Sequence, residues 1–255
     1  RREFAKRGSV AATAIAGFSI ANKAKAANPP LKIGLIGCGG RGRHAVDDAI
    51  KANENVTLVA VHDIVEGKIR GALDWLKDRR EKNVKVDDDH IFPKLDGYKK
   101  LVECDLDYVI LATPPGFRPM HFEAAVDAKK NIFTEKPVAT DPTGIRKFMA
   151  AAKKAEKMKL QIVAGTQRRH DKNYMETVKK LQDGALGQVI AGRAYWNGTL
   201  PHARDREPGM SDLEYQASHN WYNFCWMCGD NIVEQHVHNL DIMNWVFDSH
   251  PVSVI

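Results

Sequence analysis

The sequence predicts an α/β protein built around a parallel sheet that helices cover on both faces. Short apolar runs rich in Val, Ile and Leu alternate with longer segments whose apolar residues recur at helical spacing. Gly, Pro and Asp residues follow several of these runs, where parallel strands would end. With 255 residues, the chain is long enough for one large or two modest domains.

The first part of the chain contains three predicted strands and two helices. They are a strand at Leu31–Ile36, a helix from about Arg41 to Ala52, a strand at Val56–Val61, a helix from about Val65 to Arg80 and a short strand at Ile91–Phe92. The acidic run Asp87-Asp88-Asp89, just before the third strand, is interpreted as a solvated turn in preference to a metal site.

Three further strands and two helices continue the same alternation. They are a strand at Asp107–Ala112, a helix beginning near Arg118, a strand at Asn131–Thr134, a helix from about Asp141 to Lys157 and a strand at Leu160–Ala164. This repeated strand–helix order favours a sheet whose strands all run the same way.

A second domain is predicted to follow. After a helix from Asp171 to about Leu181, the run Val189–Trp196 predicts a long strand that begins an α+β domain with a mostly antiparallel open sheet. The predicted domains are therefore residues 29–165 and residues 166–255. Because the chain lacks an initial Met and ends in a strand-like segment, we expect a fragment of a longer protein.

Residues 1–28 have the pattern of an export signal and linker. Arg1-Arg2 begins a twin-arginine pattern, an apolar stretch runs from Val10 to Ala21, and Ala24-Lys25-Ala26 offers a cleavage site. The apolar stretch is too short and too rich in small residues to span a bilayer. The pattern predicts export to the periplasm; a disordered basic tail is the alternative.

The charge of the chain depends on this segment. Six basic side chains against one acidic side chain lie in residues 1–28, so its removal would lower the formal net charge from +6 to near +1. The remaining chain gives no reason to expect nucleic-acid binding, and it contains no other long apolar run for a membrane span.

The spacing of Cys225 and Cys228 leaves several interpretations open. The pair resembles a redox motif, half of a zinc site or a local disulfide. A zinc ribbon needs a second such pair, which the sequence lacks. Packed thiols or a structural disulfide are favoured over redox catalysis.

A glycine-rich turn predicts a dinucleotide site. Gly37, Gly39, Gly40 and Gly42, with Arg41 among them, fit the pattern G-x-G-x-x-G between a strand and a helix. Asp63 follows the second strand, where an acidic side chain binds the ribose diol and repels a 2′-phosphate. The pattern therefore predicts a Rossmann domain that prefers NAD to NADP. A surface Asp in a turn is the alternative for Asp63.

The combined motifs resemble those of the Gfo/Idh/MocA oxidoreductases, the family of glucose-fructose oxidoreductase and inositol dehydrogenase. The resemblance covers residues 31–255 and rests on the glycine turn with Asp63 and on four further features, Thr113-Pro114-Pro115, His121, Glu135-Lys136-Pro137 and the run from Gly229 to Asp241. It implies tightly bound NAD, a sugar or cyclitol substrate and a homo-oligomer.

The resemblance also implies roles for single residues. Thr113, Pro114, Pro115 and His121 would lie beside the nicotinamide half of the cofactor. Glu135 would position the nicotinamide riboside and Lys136 would face the reacting carbon. Gln167 and Arg168 would border the same cleft, although a solvated basic turn explains them equally well.

The run near residue 240 has a pattern of its own. On a helix, Glu234, His238 and Asp241 share one face, and Trp245 continues it. A carboxylate beside an imidazole suits proton transfer near neutral pH. A surface pair is one alternative; a metal shared by His236 and His238 is disfavoured because the two positions point about 200° apart. The family most often has Asp where this chain has Glu234, which points to a subgroup.

The sequence thus predicts an NAD-dependent oxidoreductase that acts on a secondary alcohol of a sugar, cyclitol or glycoside. His238 would take the hydroxyl proton, Lys136 would bind the same oxygen and Glu234 would orient His238. An NAD-dependent glycosidase that oxidises its sugar transiently is one alternative, and a non-catalytic nucleotide- or sugar-binding protein is another. Several aromatic and polar side chains could form a sugar platform or simply a core, namely Tyr195, Trp196, Asn197, His202, Asn220, Trp221, Tyr222, Asn223 and Trp226.

Overall fold

The computed structural model describes residues 29–198 and 203–253. The proposed export signal at residues 1–28 and the platform residue His202 lie outside the described residues, and both stay predictions. Residues 31–255 group into one compact unit. The boundary proposed between residues 165 and 166 stays a prediction.

Parallel strands form one sheet, as the alternation predicts. The six strands are β1 (Leu31–Ile36), β2 (Val56–His62), β3 (Ile91–Phe92), β4 (Tyr108–Leu111), β5 (Asn131–Thr134) and β6 (Ile162–Ala164). They are arranged in the order β3-β2-β1-β4-β5-β6. The first three strands are added towards one side of the sheet and the last three towards the other, so the strand order reverses between β1 and β4. In open parallel sheets, ligands bind at this position.

The register of the sheet brings four strand ends level with one another. Ile36 at the end of β1 pairs with His62 on one side and with Leu111 on the other, and Leu111 pairs with Thr134. Whatever follows these four residues therefore emerges together at the carboxyl edge of the sheet.

Helices separate the strands and continue beyond them. They are α1 (Gly40–Ala52), α2 (Glu66–Arg80), α3 (Gly97–Glu103), α4 (Arg118–Asp127), α5 (Pro142–Lys157), α6 (Lys172–Gln182), α7 (Asp212–Glu214), α8 (Cys225–Cys228) and α9 (Val237–Phe247). The sequence explains where α5 starts. The Asp141 carboxylate accepts hydrogen bonds from the first backbone N–H groups of the helix, and Pro142 has no N–H that would need an acceptor. Asp171 caps α6 in the same way.

Each face of the sheet has its own buried core. Ile33 and Leu35 of β1 belong to the cluster under α1 and α2, whereas Ile36 belongs to the cluster under α3, α4 and α5. Phe122 in the second cluster is completely buried and stacks on Phe148 of α5 with ring centroids 3.8 Å apart. Two-sided burial explains why the strands are apolar runs without alternation.

The predicted strand at Val189–Trp196 is wrong. Residues 189–196 form no strand, and the side chain of Ile190 is 87% exposed. An apolar, β-branched run needs a neighbouring strand to satisfy its backbone groups, and none of the described residues supplies one here. The antiparallel sheet expected in this half is therefore not formed by the described residues.

Short helical turns take the place of that sheet. Two π-helical turns, Tyr215–His219 and Ile232–His236, precede α9, and α9 packs on α6.

All four cysteines are free thiols, with Cys38 and Cys228 buried. None of the described helices is both long enough and apolar enough to cross a membrane.

Candidate active site

A cleft of about 820 Å³ runs along the carboxyl edge of the sheet. This volume lies in the range of small-molecule sites. Fourteen residues that were predicted to act in catalysis, to bind the cofactor or to border the cleft do line it, namely Gly37, Gly39, Gly40, Arg41, Asp63, Thr113, Pro114, Pro115, His121, Glu135, Lys136, Gln167, Glu234 and His238. Most of them directly follow strands whose ends are level, so the register of the sheet explains why they meet.

The glycine turn combines a backbone conformation that favours glycine with open space. Gly37 has a φ of +99°, and a Cβ there would lie 2.6 Å from the backbone nitrogen of Thr113. A Cβ at Gly42 would lie 1.9 Å from the carbonyl oxygen of Gly37, so Gly42 lets α1 pack closely against the turn. Beside Gly39 and Gly40 nothing lies within 4 Å of an added Cβ. These two positions therefore leave room for a ligand.

The first turn of α1 faces this room. Gly39 caps the helix, and none of the described side chains accepts a hydrogen bond from the first helical N–H groups. Such free N–H groups at a helix start attract anions, and phosphate groups in particular. The arrangement fits a pyrophosphate.

The carboxylate of Asp63 is buried and fixed beside the turn. Its Oδ2 accepts a hydrogen bond from the Cys38 backbone N–H at 2.9 Å, and its Oδ1 accepts one from the Val65 N–H at 3.0 Å. The backbone N–H of Gly37 donates to the His62 carbonyl at 2.8 Å. Each carboxylate oxygen keeps a further lone pair, so Asp63 can still accept hydrogen bonds from a diol.

His121 is a neutral member of the site. It is 2% exposed, its Nδ1 lies 3.1 Å from the Thr113 hydroxyl, and its ring centroid lies 4.5 Å from that of Tyr98. Burial, together with the nearby His62 and Arg118, holds the pKa of His121 well below its usual value. His121 can therefore orient the Thr113 turn without carrying charge.

An ion pair connects the glycine turn to the end of β5. The Nε of Arg41 lies 2.5 Å from Oε1 of Glu135. Arg41 is half-exposed, whereas the Glu135 side chain is 10% exposed. The pair therefore links the glycine turn directly to the residue that precedes Lys136.

Lys136 contacts Glu234 in the cleft. Its Nζ lies 2.8 Å from Oε1 of Glu234 and also donates to the backbone carbonyl of the same residue. Both side chains are largely buried. Burial raises the pKa of the Glu234 carboxyl, and the charge of Lys136 opposes that rise. The second carboxylate oxygen, Oε2, is buried and has no hydrogen-bond partner among the described residues.

His238 lines the same cleft. Burial first, and then the charges of Lys136 and Arg168, lower the pKa of His238 to about 4. Its imidazole is therefore neutral near pH 7 and able to accept a proton. The ring stacks on Trp196 with centroids 5.8 Å apart, which restricts its orientation.

Some predicted residues lie elsewhere. Arg168 is not among the residues that line the cleft; it donates to the Asn239 side chain, and its guanidinium lies 5.6 Å from the Tyr174 ring. Asp241 lies on the same helix as His238 and binds Arg169 at 2.8 Å.

Of the residues predicted to form an aromatic platform, some lie in or beside the cleft and others lie elsewhere. Trp221 lines the cleft and Trp196 contacts His238. Trp226 is half-exposed and donates to Gln216. Asn220 instead holds the backbone of Arg204 through two hydrogen bonds.

Two cleft residues carry no signal in the sequence. Lys68 lines the cleft near Asp63 and donates to the Ser218 carbonyl at 2.8 Å, and burial lowers its pKa. Arg118 lines the cleft as a completely buried cation. Basic residues on helices are normally solvated, so neither stands out without the structure.

A profile of the Gfo/Idh/MocA family, described as an oxidoreductase family with an NAD-binding Rossmann fold, matches residues 31–163. The chain is 25% identical over 219 residues to the inositol 2-dehydrogenase of Acidothermus cellulolyticus, covering 86% of this chain and 54% of that protein. It is 26% identical over 226 residues to an inositol 2-dehydrogenase/D-chiro-inositol 3-dehydrogenase of Lacticaseibacillus casei, covering 88% of this chain and 55% of that protein. The chain spans about half the length of these curated relatives.

Solved structures show the same fold. The scyllo-inositol dehydrogenase of Lactobacillus casei with bound NAD(H) and scyllo-inositol matches with a TM-score of 0.58 at 22% identity, covering 86% of this chain and 56% of that one. The myo-inositol 2-dehydrogenase of Lactobacillus plantarum matches with a TM-score of 0.60 at 20% identity, covering 86% and 57%. The family profile spans more than half of the sequence and includes the glycine turn, Asp63 and Lys136. The chain therefore belongs to the Gfo/Idh/MocA family of oxidoreductases with an NAD-binding Rossmann fold.

Proposed function

We propose that this protein is an NAD-dependent dehydrogenase that oxidises a secondary alcohol of a cyclitol or sugar. One observation carries the proposal: Lys136, Glu234 and His238 line the same cleft as the glycine turn and Asp63, and Lys136 contacts Glu234 there. A proton acceptor and a cation thus share a cavity with a diphosphate-binding turn.

The residues of the cleft fit the cofactor. The open space at Gly39 and Gly40 and the free N–H groups of α1 suit a pyrophosphate, and the anchored carboxylate of Asp63 suits a ribose diol. NAD supplies hydride transfer at its nicotinamide ring when bound. Because Asp63 repels a 2′-phosphate, we propose NAD rather than NADP; Lys68 nearby offsets part of that repulsion.

Proton transfer falls to His238. A neutral imidazole can take the hydroxyl proton as the C–H bond of the same carbon breaks. The ammonium group of Lys136 donates a hydrogen bond to the substrate oxygen and stabilises negative charge that develops there. Glu234 holds Lys136 in the required place through the contact at 2.8 Å.

The substrate class rests on the relatives and on the lining of the cleft. Inositol dehydrogenases recur among the similar proteins, and their named substrates are cyclitols. Trp221 lines the cleft and Trp196 stacks on His238, and ring faces suit the C–H faces of a cyclitol or sugar. We also propose twin-arginine export and homo-oligomer formation, the first from residues 1–28 and the second from the family resemblance.

A substrate panel tests the proposal. The purified protein is supplied with NAD and, separately, with inositol isomers, free sugars and aryl glycosides, and NADH is followed by its absorbance. We expect NADH formation with at least one polyol, and a loss on the order of 10² to 10⁴ in rate for Lys136→Ala or His238→Ala. The exposed residues Lys153 and His250 supply matched alanine controls that should keep full activity.

Two results would contradict the proposal. Near-normal turnover by both site variants would show that Lys136 and His238 do not take part in the reaction. Release of aglycone from a glycoside without NADH accumulation would favour a glycosidase that uses the same site.

A further inference from the structure

Arg118 is a buried cation at the centre of the site. It is the first residue of α4 and is 3% exposed. Arginine is almost never fully buried unless it is paired. Here the guanidinium donates through Nη1 to the Pro137 carbonyl and through Nη2 to the Thr113 carbonyl.

These two carbonyls belong to neighbouring loops. Thr113 follows β4, and Pro137 follows β5 directly after Lys136. One rigid guanidinium therefore fixes the backbone beside Lys136 relative to the Thr113 turn. The planar guanidinium is well suited to joining two loops, because its N–H groups are held in fixed directions in one plane.

The charge of Arg118 acts on the same site. The groups that face it are the carboxylates of Glu135 and Glu234 and the imidazole of His121. Burial lowers the pKa of Arg118 to about 10, so the side chain stays charged near neutral pH. Its charge and that of Lys136 both favour the ionised form of Glu234 against burial.

One donor of Arg118 is left over. Its Nε is buried and has no hydrogen-bond partner among the described residues. An unsatisfied buried donor destabilises the folded protein.

From these observations we propose that Arg118 is a positioning residue for the proposed dehydrogenase reaction. It holds the backbone beside Lys136 in place, and its charge favours the carboxylate form of Glu234, which holds the Lys136 ammonium. The inference rests on the proposed function, and it adds a residue that does not itself touch the reacting atoms.

Two variants separate geometry from charge. Arg118→Lys keeps the charge and loses the fork, whereas Arg118→Met loses both. We measure kcat and KM across pH on the best polyol of the panel, and we follow the Glu234 carboxyl by ¹³C NMR titration, with Glu234→Gln to assign its signal. Arg43→Met is the control, since Arg43 packs over Trp75 at 4.9 Å and does not line the cleft.

The expected results differ between the variants. For Arg118→Met we expect kcat to fall on the order of 10²-fold with a smaller change in KM, and the Glu234 titration midpoint to rise by roughly one pH unit. For Arg118→Lys we expect kcat to fall at least about tenfold while the Glu234 midpoint stays near that of the wild type. The control should keep both readouts.

The inference would be overturned by folded variants that keep the wild-type kcat and Glu234 midpoint. If Arg118→Met does not fold, Arg118→Lys decides: unchanged kcat overturns the inference, and reduced kcat with an unchanged Glu234 midpoint supports it. If the wild type oxidises no polyol, the proposed function fails while the Glu234 titration still decides whether Arg118 sets the charge of that carboxyl.

Discussion

The Nζ of Lys136 lies 2.8 Å from Oε1 of Glu234, a residue 98 positions later in the chain. The contact joins the end of β5 to the π-helical turn before α9. Removing one partner of a buried ion pair leaves the other charge uncompensated. Four predictions follow from this contact and from the groups around it.

Replacing Glu234 with Gln should weaken both stability and catalysis. The amide can still accept one hydrogen bond, but the Lys136 ammonium loses its counter-charge. We expect the free energy of unfolding to fall by about 1–3 kcal/mol and kcat to fall at least about tenfold. Urea unfolding and steady-state kinetics measure the two effects.

The surface pair of Lys154 and Asp127 is the control for this prediction. Its atoms are 2.6 Å apart, but both side chains are at least half exposed. Asp127→Asn should change the unfolding free energy by less than about 1 kcal/mol and leave kcat intact. Equal effects at the two pairs would contradict the role given to burial.

His238 should make stability depend on pH in the acid range. Its pKa is about 4 in the folded protein and about 6.5 when unfolded. As pH falls, the unfolded chain therefore binds the proton first, and stability is lost between pH 6.5 and pH 4.

His238→Gln should reduce that loss, because glutamine does not titrate. The loss should not vanish, since burial also lowers the pKa values of His62 and His121. Urea midpoints at several pH values, with His250→Gln as an exposed control, measure the difference. An identical slope in wild type and His238→Gln would show that His238 is not held neutral.

Asp63 should determine the affinity for NAD and the preference for NAD over NADP. Asp63→Ala removes the acceptor for a ribose diol and the anchor for the Cys38 N–H, so we expect affinity for NAD to fall about tenfold or more. Binding of NADP should weaken less, because a repulsive charge is lost as well. Calorimetry with both cofactors measures these effects.

Asp107→Ala is the matched control. Asp107 also accepts a hydrogen bond from a backbone N–H, that of Lys32 at 2.7 Å, but it directly precedes β4 and so lies at the edge of the sheet opposite the cleft. Its loss should affect stability alone. Unchanged NAD affinity in Asp63→Ala would contradict the cofactor site.

Alanine at two glycines of the turn should have opposite consequences. Gly42→Ala places a Cβ 1.9 Å from the Gly37 carbonyl, so we expect destabilisation of about 1–3 kcal/mol. Gly40→Ala meets no atom within 4 Å, so the fold should persist while the methyl group occupies the ligand space and NAD affinity falls.

Thermal unfolding and NAD titration distinguish these outcomes. Gly67→Ala provides the control, since Gly67 lies on α2, where nothing approaches within 4 Å, and alanine favours a helix. It should leave NAD affinity unchanged. Normal NAD binding by Gly40→Ala would show that the cofactor does not approach this turn.

The strands were predicted correctly where both faces of the sheet are buried. β1 and β2 consist mainly of buried apolar residues, and the turns that end them carry Gly37 and Asp63. The run Val189–Trp196 also begins with apolar β-branched residues, but no strand forms there. Local pattern specifies a tendency to extend, whereas a ladder requires a neighbour that only the fold supplies.

The sequence by itself determined the parallel α/β architecture, the glycine turn with its acidic partner, and the candidate Lys136 and His238. Periodicity and backbone sterics are local properties, and the order of strands and helices follows from them. Only the tertiary structure decided that Glu234 binds Lys136, that Asp241 binds Arg169, and that Arg118 is buried between two loops. Those relationships depend on register and on burial, which bring residues far apart in the chain into one low-dielectric site.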